Sequence, residues 1–155
     1  MASLRPSPVD APDAHALLAE YFAARAADFP GQAYKTTFPD PSAFVAPSGM
    51  FLVLDDDNDV PVGCGGIRLI APGERGPRYE VKHLFMRPET RGRGWGRLIL
   101  DTLMTQAREW DAAELVLDTH HTLAAAAALY ARAGFVPIDR YNDNPNATRW
   151  YAAAL

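Results

Sequence analysis

The run Arg91-Gly92-Arg93-Gly94-Trp95-Gly96-Arg97 puts three glycines and three arginines into seven residues, directly ahead of an apolar stretch. Residues so small and so positive, at a point where a helix would begin, can hold an anion. The first N–H groups of a helix have no partner within it and its N-terminus carries a partial positive charge, so a loop that aims several of them at one point binds phosphate. A Walker loop needs Lys-Ser or Lys-Thr after its last glycine, but here Gly96 is followed by Arg97-Leu98. A dinucleotide-binding turn needs Gly-x-Gly-x-x-Gly after the chain's first strand, whereas this spacing is Gly92-x-Gly94-x-Gly96, far along the chain. What fits is Arg-x-x-Gly-x-Gly over 91–96, following a stretch that ends Phe85-Met86-Arg87-Pro88. The plain alternative is a solvated basic turn that only caps a helix.

Elements on both sides must position that loop. Leu17, Leu18, Tyr21, Phe22, Arg25 and Phe29 recur at helical spacing and predict a first helix over 13–29, ended by Pro30-Gly31 after a Pro-containing lead. The segment up to Gly49, rich in Pro, Thr and Ser with scattered aromatics, reads as loop, the kind of stretch that shapes a substrate entrance. Strands are predicted over 50–56 and 61–71 as a hairpin, and over 78–88, with Gly63, Gly65 and Gly66 indicating a bulge or a close ligand. A broadly apolar helix over 95–110 follows the loop. Then come a strand over 113–119, a helix over 122–134 capped by Gly134, and strands over 135–139 and 147–155. A hairpin followed by strand, helix, strand, helix and strand gives an α+β or mixed α/β sheet flanked by helices.

Composition bounds what the loop serves. A chain of 155 residues with 48% hydrophobic content builds one sizeable core, so a single domain over 1–155 is expected. The net charge of -4 argues against nucleic-acid or membrane-surface binding and for a local anionic ligand. A single cysteine, Cys64, excludes an internal disulfide, fits a reducing cytoplasm and reads as a small core residue. No Cys-x-x-Cys or His-rich spacing points to a metal. His120 and His121, adjacent at a strand end, should project in different directions as a solvated turn.

With its flanks, the loop resembles the acyl-CoA loop of the GNAT family of N-acetyltransferases, Gln/Arg-x-x-Gly-x-Gly/Ala between a strand and a helix. "EVKHLFMRP" before it and "ALYARAGF" after it extend the resemblance from about Val60 to the end of the chain. It implies a mixed, mostly antiparallel sheet splayed near its middle, with acetyl-CoA as co-substrate in the splay. Backbone groups of Phe85 and Met86 would pair with the pantetheine arm. Backbone N–H groups of Arg91, Gly92, Arg93, Gly94, Trp95, Gly96 and Arg97 would hold the pyrophosphate. The family's asparagine at the start of the following helix is replaced here by Leu123, with Thr119, His121 and Thr122 as nearby substitutes.

Attack of an amine on a thioester needs a base, a stabiliser of the developing oxyanion and an acid for the leaving thiolate. The resemblance implies Glu80 as base, and Tyr130 as acid on the helix beside the pantetheine. Read without it, Glu80 is a surface strand residue paired with Lys82, which period two puts on the same face, and His83 then points to the opposite one unless a bulge exchanges them. A backbone N–H near Phe85 and Met86 is the candidate oxyanion donor. The expected reaction is acetyl transfer to the primary amine of a small molecule in a ternary complex. A protein or peptide acceptor, or a non-catalytic acyl-CoA sensor, is the alternative. Asp28, Asp40, Asp55, Asp56, Asp57 and Glu74 would favour a cationic amine unless they are simply solvated. "YNDNPNATRW" at the C-terminal end would contact the acceptor or a second subunit of a homodimer.

Overall fold

The structure, a computed structural model, describes residues 1–155, the side chain of Gln32 aside. Seven strands form one sheet: β1 (Ser3–Pro6), β2 (Gly49–Asp55), β3 (Pro61–Gly73), β4 (Gly76–Met86), β5 (Glu114–Thr119), β6 (Val136–Pro137) and β7 (Arg149–Ala154), in the order β1-β2-β3-β4-β5-β7-β6. Three helices cover it, α1 (Pro12–Asp28), α2 (Trp95–Glu109) and α3 (Ala124–Arg132). Every strand pair is antiparallel except β4 with β5. That parallel pair covers only Arg78–Glu80 against Glu114–Val116, after which the strands part. The mixed, mostly antiparallel sheet opened near its middle is the one expected.

Alternation along β2 shows how the sheet divides two cores. Leu52 and Leu54 point to the core under α2, while Phe51 and Val53 point to the one under α1. On β4, Val81 faces α2, and strict period two would send Phe85 there as well; it packs instead with the α1 core. An extra residue causes the switch. Cys64 pairs with Phe85 and Gly66 with Lys82, so Gly65 alone lies opposite both His83 and Leu84. His83 takes φ of 60°, the left-handed conformation such a bulge needs.

Sequence periodicity misses β1, which lies in the Pro-containing lead. Leu4 partners Leu54, and the Arg5 guanidinium bridges Asp55 and Asp13, fastening the strand to β2 and to the start of α1. Beyond β5 the chain is less regular than expected, with only Val136 and Pro137 paired in β6. The segment between α1 and β2 carries short 3₁₀ turns at Pro30–Gln32 and Pro41–Phe44, the second of which delivers Phe44 to the α1 core.

The glycines of β3 serve packing. A Cβ on Gly66 would stand 2.8 Å from the Met50 carbonyl oxygen and 2.9 Å from the Phe44 ring, and the backbone contact cannot yield. Gly66→Ala is therefore expected to destabilise the protein by roughly 1–3 kcal/mol, read from the midpoint of urea unfolding; an unchanged midpoint would show that β2 and β3 can separate locally at no cost.

Candidate active site

The parting of β4 and β5 opens two cavities of about 630 Å³ each. The first lies between the β4 segment Val81–Leu84, the end of β5, α1 and two loops, 34–40 and 142–146. The second runs from Leu84, Phe85 and Met86 to the loop ahead of α2, with α3 as its other wall. Both are lined by Tyr21, Arg25, Leu84, Leu123, Ala126 and Tyr130, so they meet at one junction.

At the far end of the second cavity the 91–97 loop has the form the anion reading requires. Arg91 N–H donates to Pro88, and the next backbone donation is Leu98 to Gly94, the first bond of α2. The amides of Gly92 to Arg97 thus have no backbone acceptor among the described residues, six consecutive donors at a helix N-terminus. Gly94 caps the helix at φ of 79°, a conformation that disfavours any residue with a Cβ. The arginine side chains are mostly engaged elsewhere: Arg97 with Asp101, Arg87 with Glu20, and Arg93 over the Trp95 ring at 5.0 Å. The free donors of this loop are thus its backbone amides more than its guanidinium groups. Leu123, N-cap of α3, lines both cavities, and of its polar neighbours Thr122 reaches the second while His121 is bonded to Thr148.

The first cavity carries the ionisable groups. Glu80 is brought to it but held behind its wall, only 1% exposed. Its Oε1 accepts from Arg68 at 2.8 Å, and its Oε2 from the Tyr141 hydroxyl at 2.6 Å. Asp118, at the end of β5, reaches the space beside it, as does Asp40 from the 34–40 loop. Asp118 Oδ2 accepts from Asn142 and Asn144 at 2.7 and 3.1 Å, leaving Oδ1 with Lys82 Nζ at 3.6 Å. Asn142 and Lys82 also contact Glu80, at 3.4 and 3.9 Å, so the two carboxylates share an amide and a cation. Period-two spacing finds the Glu80–Lys82 pair but not its burial. Sequence patterning does not single out Asp118; the signal that marks it is an acid ending an apolar strand, and that of Arg25 a cation on an apolar helical stripe.

The "YNDNPN" stretch forms one side of the first cavity. Asn146 exchanges hydrogen bonds with the backbone of Lys35 at 3.0 and 2.8 Å, Asn144 accepts from Asn146 N–H, and Asn142 accepts from Trp150 Nε1 at 2.9 Å. Two loops are thereby tied together over the cavity. Of the acids expected to attract a cation, Asp55 pairs with Arg5, Asp56 accepts from the amides of Asn58 and Val60, and Asp57 meets the N-terminus; only Asp40 lines the first cavity.

Tyr130 stands at the junction, where burial first and the Asp118 charge second push its phenol up to about 12. It keeps its proton across the neutral range. Cys64 is fully buried with its thiol pushed up by desolvation, and packs as a core residue. The bulge turns His83 toward Tyr21, Phe22 and Phe44, correcting the placement on the opposite face from Glu80 that a regular strand implies. The His120 and His121 rings stack at 4.3 Å rather than diverging, because each is held by a threonine, Thr122 and Thr148.

Burial pushes the His83 imidazole down to about 3. The unfolded chain takes up this proton near pH 6.5 and the folded one does not, so the contribution is full above that pH and is lost as pH falls toward 3. His83→Asn, which tolerates the left-handed backbone, should flatten the fall of Tm between pH 6.5 and 4 by at least about 3 °C relative to the parent. Parallel Tm curves for the two proteins would mean that this ring is protonated in the fold.

Residues 13–135 match the acetyltransferase (GNAT) family. An uncharacterized N-acetyltransferase of Schizosaccharomyces pombe is 30% identical over 140 residues, covering 89% of this chain and 83% of that one. Another, from Dictyostelium discoideum, is 40% identical over 68 residues, 44% of this chain and 32% of that protein, so the match spans about a third of the relative's length. Among solved structures, a GNAT-family acetyltransferase from Staphylococcus aureus superposes with a TM-score of 0.80 at 18% identity, covering 99% of each chain. A GNAT-family acetyltransferase from Elizabethkingia anophelis with acetyl-CoA bound gives 0.64 at 14% identity over 99% of this chain and 98% of that one. At such identities these two likenesses concern the fold alone.

Proposed function

The chain belongs to the acetyltransferase (GNAT) family, and from that premise we propose that it moves an acetyl group from acetyl-CoA to the primary amine of a small molecule, both held at once. One observation carries this reading: a cavity ending in unpaired amides meets a cavity holding ionisable groups, at a junction occupied by Tyr130. The residues of the second cavity fit acetyl-CoA. The amides of Gly92 to Arg97 would take the pyrophosphate, and the edge of β4 left open beyond Glu80, with the backbone of Phe85 and Met86, would take the pantetheine amides. When bound, the thioester supplies an activated acyl carbon.

The chain's own groups then have distinct tasks. Asp118 Oδ1, the less engaged oxygen at the cavity wall, takes the proton from the acceptor ammonium. Glu80, the expected base, acts in this reading through Asp118, sharing Asn142 and Lys82 with it and keeping Arg68 and Tyr141 in place. Tyr130 donates its proton at the junction to the departing sulfur. Segment 34–40, tied down by Asn146, narrows the entrance and favours a small acceptor over a folded protein.

Steady-state kinetics with a panel of primary amines tests the assignment. Asp118→Asn and Tyr130→Phe should each lower kcat by roughly 10²-fold or more while the KM for acetyl-CoA stays close to the parent value. Glu80→Gln should lower kcat less and displace the acid limb of its pH profile. Full kcat in Asp118→Asn would return the base to another group, and full kcat in Tyr130→Phe would remove the phenol from the mechanism.

A further inference from the structure

Arg25 is the one buried cation of the site that no carboxylate answers. It projects from α1 one turn after Tyr21, is 8% exposed, and lines both cavities. Arg68 and Lys82 share the first cavity with it, but each is already paired with Glu80 or Asp118. Lys35 is exposed. Arg25 forms no ion pair among the described residues; its Nη2 reaches the Asn146 carbonyl at 3.5 Å, the outer limit of a hydrogen bond, and the guanidinium also lies against the neutral Tyr21 hydroxyl. The ring of Tyr34 at 5.2 Å and that of Phe29 at 5.9 Å flank its guanidinium carbon.

A guanidinium has five N–H donors in a planar fork that matches a carboxylate. No side-chain nitrogen fully shut off from solvent lacks a partner among the described residues, so the unbonded donors of Arg25 keep contact with the cavity space. Desolvating a cation without a counter-charge is costly, and cation–π contacts offset only part of the cost. The cavity as a whole has the same sign. Its lining includes four cations, Arg25, Lys35, Arg68 and Lys82, and two carboxylates, Asp40 and Asp118, on a chain whose net charge is -4. Counting Glu80 behind the wall still leaves four against three.

We propose that the acceptor is an amino acid or a closely related amine that carries a carboxylate, and that Arg25 binds this carboxylate while the amine faces Asp118. The inference rests on the acetyl-transfer reading and narrows its substrate. Arg25 touches both cavities, so an anion held there lies at the junction itself, which suits a carboxylate only a few bonds from the amine. Tyr34 and Phe38 in the cavity wall give the remainder of such a molecule an aromatic surface.

Calorimetry on the full chain in the presence of CoA tests this with product-like probes: N-acetylglycine, N-acetylleucine and N-acetylphenylalanine, each against its decarboxylated counterpart, N-methylacetamide, N-isopentylacetamide and N-phenethylacetamide. The parent protein should bind at least one acid about tenfold or more tighter than its counterpart, and Arg25→Gln should remove that preference while leaving the counterpart's affinity unchanged. The parent's own preference keeps the test valid should the variant fold poorly. Equal affinity for acids and counterparts, no binding of any acid, or a preference that survives Arg25→Gln would overturn the proposal. A loss of CoA affinity in Arg25→Gln with the acid preference intact would also overturn it, assigning the guanidinium to the other cavity. Acid binding that depends on Arg25, in a protein that transfers acetyl to none of the parent amines, would refute the transfer reading and leave the carboxylate site standing.

Discussion

The arrangement depends on how briefly β4 and β5 stay together. A parallel pair satisfies the facing edges of both strands for as long as it lasts, and here it lasts three residues. Beyond Glu80 the edge of β4 needs other partners, while β5, paired with β7 on its far side along its whole length, no longer meets β4. The wedge between them is where both cavities lie, and α3 closes it with alanines small enough to leave room. The bulge at His83 and Leu84 sits on this open edge. It reverses which residues face α1, so that Lys82 and His83 both line the first cavity while Phe85 still reaches a core.

A second constraint follows from burying charge inside that wedge. Glu80 and Asp118 would each be costly alone in a desolvated site, and a buried ion pair gains little unless its remaining lone pairs are satisfied. Here they are. Arg68, Lys82, Tyr141, Asn142 and Asn144 supply donors, and the asparagines continue the network through Asn146 to the backbone of Lys35. The polar centre therefore also ties together the two loops over the first cavity, and a change at Asp118 is felt in loop position as well as in the proton transfer proposed for it. Arg25 is the exception to this pairing, which is why it reads as a place for a ligand.

Much of this was legible in the residues. The order of the main elements and the glycine-rich loop at 91–97 follow from local periodicity and glycine placement, which act over a few residues, whereas the place of Tyr130 in the cleft was implied by the family resemblance. What could not be read depends on distant partners. β1 is held by its pairing with β2 and by Arg5, and nothing within Ser3–Pro6 announces a strand. The side His83 takes depends on one extra residue in β4, which period-two counting has no means to detect. Glu80 was recognised but not its enclosure, because Tyr141 and Asn142 come from a loop sixty residues away. Of the acidic residues expected to draw a cationic amine, Asp55, Asp56 and Asp57 pair with Arg5, cap a turn and meet the N-terminus, Asp28 lines the second cavity and Asp40 the first, and the first cavity is net basic.

The central claim is that the amides at the start of α2 hold the pyrophosphate of acetyl-CoA. Calorimetric titration of the parent and of Gly94→Val with acetyl-CoA tests it most directly, because a Cβ at Gly94 meets no atom within 4 Å and so disturbs the loop's left-handed backbone without disturbing a core. The account predicts affinity in the micromolar range, roughly, for the parent and a loss of at least about tenfold in the variant, with both proteins equally folded by circular dichroism. Equal affinity in the two, or no binding by either, would contradict it and reduce the loop to a helix cap.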